Sequence, residues 1–184
     1  VTGVQTCALP ICQGEIMTFT IRKAAPDDAE ALLAYLRQIG GETENLLFGA
    51  EGVPMSVEEE RNFLASMQAS ESGGMYSALS DGEIVGNAHF EMGKRERIRH
   101  RASIGLSVRK SHWSKGIGTA LMEQLIEAVR QAGGEVITLE VLVDNTRAVA
   151  LYKKCGFEIY GTLDRYFKID GVYRAAHYMR LNLD

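Results

Sequence analysis

The stretch SIGLSVRKSHWSKGIGTALMEQLIEAV, residues 103–129, constrains the fold more than any other part of the chain. It joins a β-type run ending at Val108 to a long amphipathic helix through a basic loop and the step Gly116-Ile117-Gly118. Ile117, Ala120, Leu121, Leu125 and Ala128 recur at helical spacing and predict one buried face over about Gly116–Ala132. Glycines let a backbone approach a ligand closely, and the free N–H groups opening a helix attract anions, phosphates above all. Arg109, Lys110 and Lys115 add positive charge there. Residues 94–115 hold eight of the chain's 20 Lys and Arg, with only Glu96 opposing them. An electropositive anion site can therefore exist on a chain of net charge −4. The bland alternative, a solvated basic loop, suits Lys94–Arg101 better than the Gly-x-Gly step. A dinucleotide-binding turn is disfavoured. It would need a third glycine where Leu121 stands and a tighter turn than Arg109–Lys115 allows, although Asp144 could supply its acid.

The flanking chain reads as alternating strands and helices. TFTIRKA (18–24) alternates as a half-buried strand, and Pro26 opens a helix with Ala29, Leu32, Leu33, Leu36 and Ile39 on its apolar stripe. Gly40–Pro54 reads as a loop, after which Ser56 and Glu59 form a capping box for a second helix. MYSALS and EIVGNAHFEM flank Asp81-Gly82, a hairpin signal. EVITLEVLV (135–143) is a near-continuous β-run, Asn145 caps the helix TRAVALYKKC, and Gly156 ends it. FEIYG and YRAAHYMRL predict two last strands. The order β-α-α-β-β-β-α-β-α-β-β implies an α/β or α+β sheet with helices on its faces.

The N-terminus VTGVQTCALPIC predicts neither a signal nor a metal site. No Lys or Arg precedes Arg22, the apolar run is short and broken by Pro10, and the lone C-x4-C lacks a second ligand pair. Val1–Ile11 instead resembles the in-frame translation of a common sequencing-library adapter. Residues 1–16 are therefore expected to be a non-native or disordered extension, and residues 17–184, starting at Met17, one domain. That leaves 168 residues at net charge −3, since only Glu15 is lost among the charges. Cys155 is then the one remaining cysteine, which excludes an intramolecular disulfide and suits a cytoplasmic protein. Mild acidity argues against nucleic-acid binding, and no apolar stretch approaches the ~20 residues of a membrane span.

Two motifs carry a family resemblance. Val108 through Trp113, Gly116 and Gly118 follow the acyl-CoA motif of the GNAT superfamily of N-acetyltransferases, and DNTRAVALYKKCGF (144–157) follows its second signature. The likeness extends over Thr18–Leu183. It departs at Trp113, where the family usually carries Arg or Gln. The resemblance implies a mixed, mostly antiparallel central sheet with helices on both faces, acetyl-CoA as co-substrate, and no metal. Backbone groups near Leu106 and Val108 would bond the pantetheine arm. Amides from Ser114, Lys115, Gly116, Ile117, Gly118 and Thr119 would bond the pyrophosphate. Asn145 would contact the cofactor as well as capping its helix. Tyr152 would protonate the departing thiolate, core packing being its alternative. Cys155 has no His or Asp partner nearby in sequence and reads as a packing residue.

The implied reaction moves an acetyl group to a primary amine of a small molecule or polypeptide by direct attack, which requires a base. Glu140 lies mid-strand opposite Ile137, Leu139 and Val141, where burial would raise its pKa; His89 and Glu91 are the other candidates. Gly40–Pro54 and Gly93–Arg101 are the expected acceptor-contacting loops. A non-catalytic acyl-CoA-binding sensor is the alternative function, and a homodimer is compatible with either.

Overall fold

The computed structural model describes residues 5–7 and 18–183. A mixed sheet of eight strands runs in the order β1-β2-β3-β4-β5-β6-β8-β7. The strands are β1 (Gln5–Cys7), β2 (Phe19–Lys23), β3 (Gly73–Ser80), β4 (Glu83–Met92), β5 (Arg101–Val108), β6 (Val136–Leu142), β7 (Glu158–Ile169) and β8 (Val172–Asn182). Every neighbouring pair is antiparallel except β5 and β6, which are parallel. Four α-helices cover the sheet: α1 (Ala29–Glu42), α2 (Val57–Ala69), α3 (Ile117–Gln131) and α4 (Thr146–Lys154). β1 falls inside the expected extension and pairs with the outer edge of β2. Such an edge offers unpaired N–H and C=O groups to any extended segment. Met17 and Cys12 lie outside the described residues.

Local chemistry accounts for most element boundaries. Ser56 and Glu59 close the capping box at the start of α2, with the Glu59 amide donating to Ser56 Oγ at 3.2 Å and the Ser56 amide to Glu59 Oε2 at 2.7 Å. Asp81-Gly82 and Asp170-Gly171 turn the two hairpins with both residues at positive φ, as a two-residue turn of the I′ kind needs. Two predicted bounds move. α1 runs on to Glu42 instead of stopping before Gly40, because Ile39 and Gly40 still face the core. β7 continues far beyond FEIYG to Ile169, held by its register with β8, although Gly161–Arg165 shows no clear alternation.

The helices divide between the two faces. Ala29, Leu32, Tyr35 and Ile39 of α1 pack with Leu64 of α2 and Ile84 of β4 on one face. Ile117, Leu121, Met122 and Leu125 of α3 pack with Tyr152 of α4 and with Ile137, Leu139 and Val141 of β6 on the other. Gly86 of β4 lets α3 come close: a Cβ there would lie 3.0 Å from Leu121 and 3.1 Å from Ile117. Leu121 is wholly buried at this contact. Leu121→Ala is expected to cost about 2–5 kcal/mol of stability by opening a cavity between α3 and the sheet, and Ser56→Ala only about 1 kcal/mol. Urea unfolding midpoints of the two variants check the contrast.

Candidate functional site

A cleft of about 930 Å³ opens where β5 and β6 part. The two strands are paired only at Arg101–Val136, Ala102–Ile137 and Ser103–Thr138. Beyond Ser103, β5 stays in register with β4 as far as Val108, and β6 stays in register with β8 as far as Leu142. Each strand is thus held from its outer side while their inner edges, Ile104–Val108 and Glu140–Leu142, face one another across the cleft. Backbone groups on such an edge need a partner from solvent or ligand.

One end of the cleft is the turn into α3. Arg109 continues β5 by donating its amide to Val85 at 2.9 Å, and a single 3-10 turn at Lys110–His112 follows. Ser114 and Gly116 both take left-handed backbone, φ 61° and 82°. The first helical bond of α3 runs from the Ala120 amide to the Gly116 carbonyl at 3.0 Å. The amides of Ile117, Gly118 and Thr119 have no acceptor among the described residues. Gly118 and Thr119 line the cleft together with Ser114 and Gly116. Ile117 does not, since its side chain is 1% exposed in the core, so its contribution is limited to its amide. Lys115 is exposed on the loop and lies outside the lining. Trp113 braces the loop: its indole N–H donates to the Val108 carbonyl at 2.7 Å, and the Arg147 guanidinium stacks 4.6 Å above its ring. Arg147 also donates to Ser114 Oγ at 2.9 Å, tying α4 to the loop. The Glu42 carboxylate ties α1 to it by accepting the Lys110 amide at 2.6 Å.

Strand alternation assigns the functional side chains to faces. Tyr152 lines the cleft from α4, on the α3 side of the sheet. It is 7% exposed, packs against Phe157 at 5.9 Å between ring centroids, and burial pushes its phenol up to about 12. Asn145 caps α4 by accepting the Ala148 amide at 3.3 Å and also lines the cleft. Asn87, His89, Gly105, Ser107 and Glu140 belong to the opposite face, that of α1. Tyr35 of α1, absent from the predicted apolar stripe, is 2% exposed and bonds Ser107 Oγ through its hydroxyl at 3.1 Å. His89 is partly buried over Gly105, where a Cβ would lie 2.4 Å from the imidazole. Burial holds that imidazole below its usual range, with the nearby Glu91 charge opposing.

Three expectations are corrected. Glu140 lines the cleft but is exposed rather than buried, because the face it occupies borders the open gap left by β5. Glu91 is absent from the cleft lining and borders a smaller pocket with Met92 and Gly93. Gly93–Arg101 borders that same smaller pocket, so of the two expected acceptor loops only 40–54 lines the larger cleft. The aromatic wall of Tyr166 and Phe167, which stack at 5.1 Å, lies beyond Gly161, where the sequence alone predicts the strand to end. Among the described residues no group of three His, Cys, Asp or Glu is placed to hold a metal, and no helix is long and apolar enough to cross a membrane.

The acetyltransferase (GNAT) family model matches residues 42–157. The L-amino acid N-acetyltransferase AaaT of Escherichia coli K12 is 38% identical over 103 residues, 55% of this chain and 64% of that protein. The N-alpha-acetyltransferase RimI of Mycobacterium tuberculosis H37Rv is 33% identical over 95 residues, 51% of this chain and 58% of that protein. The match therefore spans less than two thirds of either relative's length. A crystal structure of an acetyltransferase of the GNAT family from Streptococcus pneumoniae superposes with a TM-score of 0.87 at 30% identity, over 90% of this chain and 99% of that one.

Trp113 is the chain's one tryptophan, and it lines the cleft from the loop that leads into α3. Titration with coenzyme A is expected to change its fluorescence in a saturable way. Gly116→Ala, which forces a side chain into left-handed backbone, should raise the midpoint about tenfold. An unchanged midpoint would remove the start of α3 from the binding site.

Proposed function

The chain belongs to the acetyltransferase (GNAT) family, and on that premise we propose that it is an acetyl-CoA-dependent N-acetyltransferase acting on a primary amine of a small molecule or polypeptide. The observation that carries the reading is the gap between β5 and β6 ending at the open amides of α3. The residues present fit the co-substrate. Open amides at Gly118 and Thr119, on a left-handed turn at Ser114 and Gly116, suit a pyrophosphate. The inner edge of β5 at Leu106 and Val108 suits an amide-bearing arm, with one lone pair of the Val108 carbonyl already taken by Trp113. Asn145, at the start of α4, borders the same path. Bound acetyl-CoA supplies an activated acyl thioester and a thiolate leaving group.

The protein's part is to manage two protons. An amine attacks only after its ammonium is deprotonated, and His89 is suited to accept that proton, because burial keeps its imidazole neutral near pH 7. Glu140, the base expected from sequence, lacks the burial that expectation relied on. Tyr152 stands on the other face with a phenol that stays protonated through the physiological range and can donate to the departing sulfur. Gly105 keeps space for the imidazole; any side chain there would displace it.

Thiol release from acetyl-CoA with a panel of amines tests the reading, and tight binding without turnover on any of them would favour the acyl-CoA sensor. Tyr152→Phe is expected to lower kcat about 10- to 100-fold while leaving the coenzyme A midpoint nearly unchanged. For His89 the sign follows from the depressed pKa. Activity should persist at neutral pH and fall only as pH drops through a value below the usual 6.5, where the imidazole takes a proton. His89→Gln should lower kcat/KM about 100-fold and abolish that acid limb; an intact limb would exclude His89 as the base.

A further inference from the structure

We infer that the acceptor is an amine with an apolar or aromatic body and no carboxylate beside its amino group, and that Glu140 receives its ammonium. The inference rests on the acyl-transfer reading above and narrows the acceptor that the cleft admits. Its basis is the charge and shape of the cleft's α1 side. Tyr166 and Phe167 of β7 stack at 5.1 Å, and Tyr178 meets Tyr166 edge-on at 6.1 Å. Phe48, packed on the α1 cluster, lines the same cleft from the loop after α1 and adds a third aromatic ring to the lining Tyr166 and Phe167 on this side. Glu140 stands directly opposite Tyr178 in the β6–β8 register and close enough to Tyr166 for its charge to act on that phenol.

Charge on this side is negative. Glu42, Glu140 and Asp144 line the cleft, and Arg147 is the one Lys or Arg among its described lining residues. Arg147 is committed to the other end, over Trp113 and against Ser114. Arg174, outside that lining, is held by two carboxylates: its guanidinium bonds Asp144 and reaches Glu44 at 2.8 Å. Asp144 is engaged by Arg174, and Glu42 by the Lys110 amide at 2.6 Å. Glu140 forms no ion pair among the described residues, so it is the acid left to meet a cation. An ammonium between Glu140 and the face of Tyr166 gains both a carboxylate and a cation–π partner. A free α-amino acid would bring its own carboxylate to the same place, against Glu140 and with no cation to pair it, which is costly. A decarboxylated amine, an amino-acid amide or a peptide N-terminus avoids that cost.

Matched pairs differing only in the carboxylate test this: phenethylamine against phenylalanine, tyramine against tyrosine, and phenylalanine amide against phenylalanine. Thiol release gives kcat/KM, and calorimetry with coenzyme A bound gives acceptor affinity independently of turnover. The carboxylate-free member of each pair is expected to lead by about tenfold or more in both measurements. Glu140→Gln should raise KM for phenethylamine about tenfold, shrink the gap within each pair, and leave the Trp113-reported coenzyme A midpoint unchanged. Equal or better use of phenylalanine overturns the inference, as does an unchanged KM in the variant. If no pair releases thiol, acyl transfer itself fails, and the calorimetric preference still decides which ligand class the cleft takes.

Discussion

The parting of β5 from β6 after three paired residues is the constraint on which the rest of the site depends. A parallel pair normally continues as long as both strands do, because each lost rung strands an amide and a carbonyl. Here the outer partners prevent closure. β4 holds β5 through seven register positions and β8 holds β6 through another seven, so neither can swing inward without breaking an antiparallel ladder. The α4 side chains complete the separation: Leu151 and Tyr152 pack on the same apolar surface as Ile104, Leu106 and Val108. The exposed edge is a standing cost to the fold, and it is also the surface a chain-like ligand with its own amides can pair with.

The loop into α3 shows how the sequence's one departure from its family motif is absorbed. Trp113 occupies the position of a polar side chain, yet it holds the loop by donating to Val108 and by offering its ring to Arg147. The positive charge beside the open amides of α3 then comes from Arg147 on α4 as much as from the loop itself. Glu42 and Arg174 perform the equivalent service for the chain after α1, tying it to Lys110 and, through Glu44 and Asp144, to the β6–α4 turn. Four elements distant in sequence therefore converge on the cleft through charged contacts, while the apolar packing lies behind them.

What was legible in the sequence was chemistry local to a few residues. Ser56 with Glu59, Asp81-Gly82, Asn145 and Gly116-Ile117-Gly118 each impose a backbone state that little else would satisfy, so cap, turn and helix start fell where expected. Tyr35 lies at helical spacing between Leu32 and Ile39, but its hydroxyl keeps a tyrosine from counting as plainly apolar, and the partner that satisfies that hydroxyl, Ser107, is distant in sequence. The wall of Tyr166 and Phe167 was hidden by a stretch, Gly161–Arg165, that lacks alternation and pairs with β8 only through Leu163 before the register shifts and resumes at Phe167. Glu140 is the instructive failure. Alternation assigned its face correctly, opposite Ile137, Leu139 and Val141, but says nothing about what covers that face. The cover is missing because β5 has left, and that is a tertiary fact.

On the proposed acyl-transfer reading, the same split also lets an acid and a base share one cleft. Were Tyr152, His89 and Glu140 gathered on one face, their titrations would couple, and each would take its pKa from the others' charges. Alternation instead leaves Tyr152 on the α3 side and His89 on the α1 side, where burial is the largest influence on each. It pushes the phenol up and the imidazole down. Desolvation favours the neutral form of both groups, so the same physical cause leaves one able to give a proton and the other able to take one near pH 7. Neither brings a charge into the cleft before a substrate arrives. The charge that remains on the acceptor side belongs to Glu140, exposed where an ammonium would enter, and its lack of burial is what suits it to meet a hydrated cation rather than to extract a proton from one.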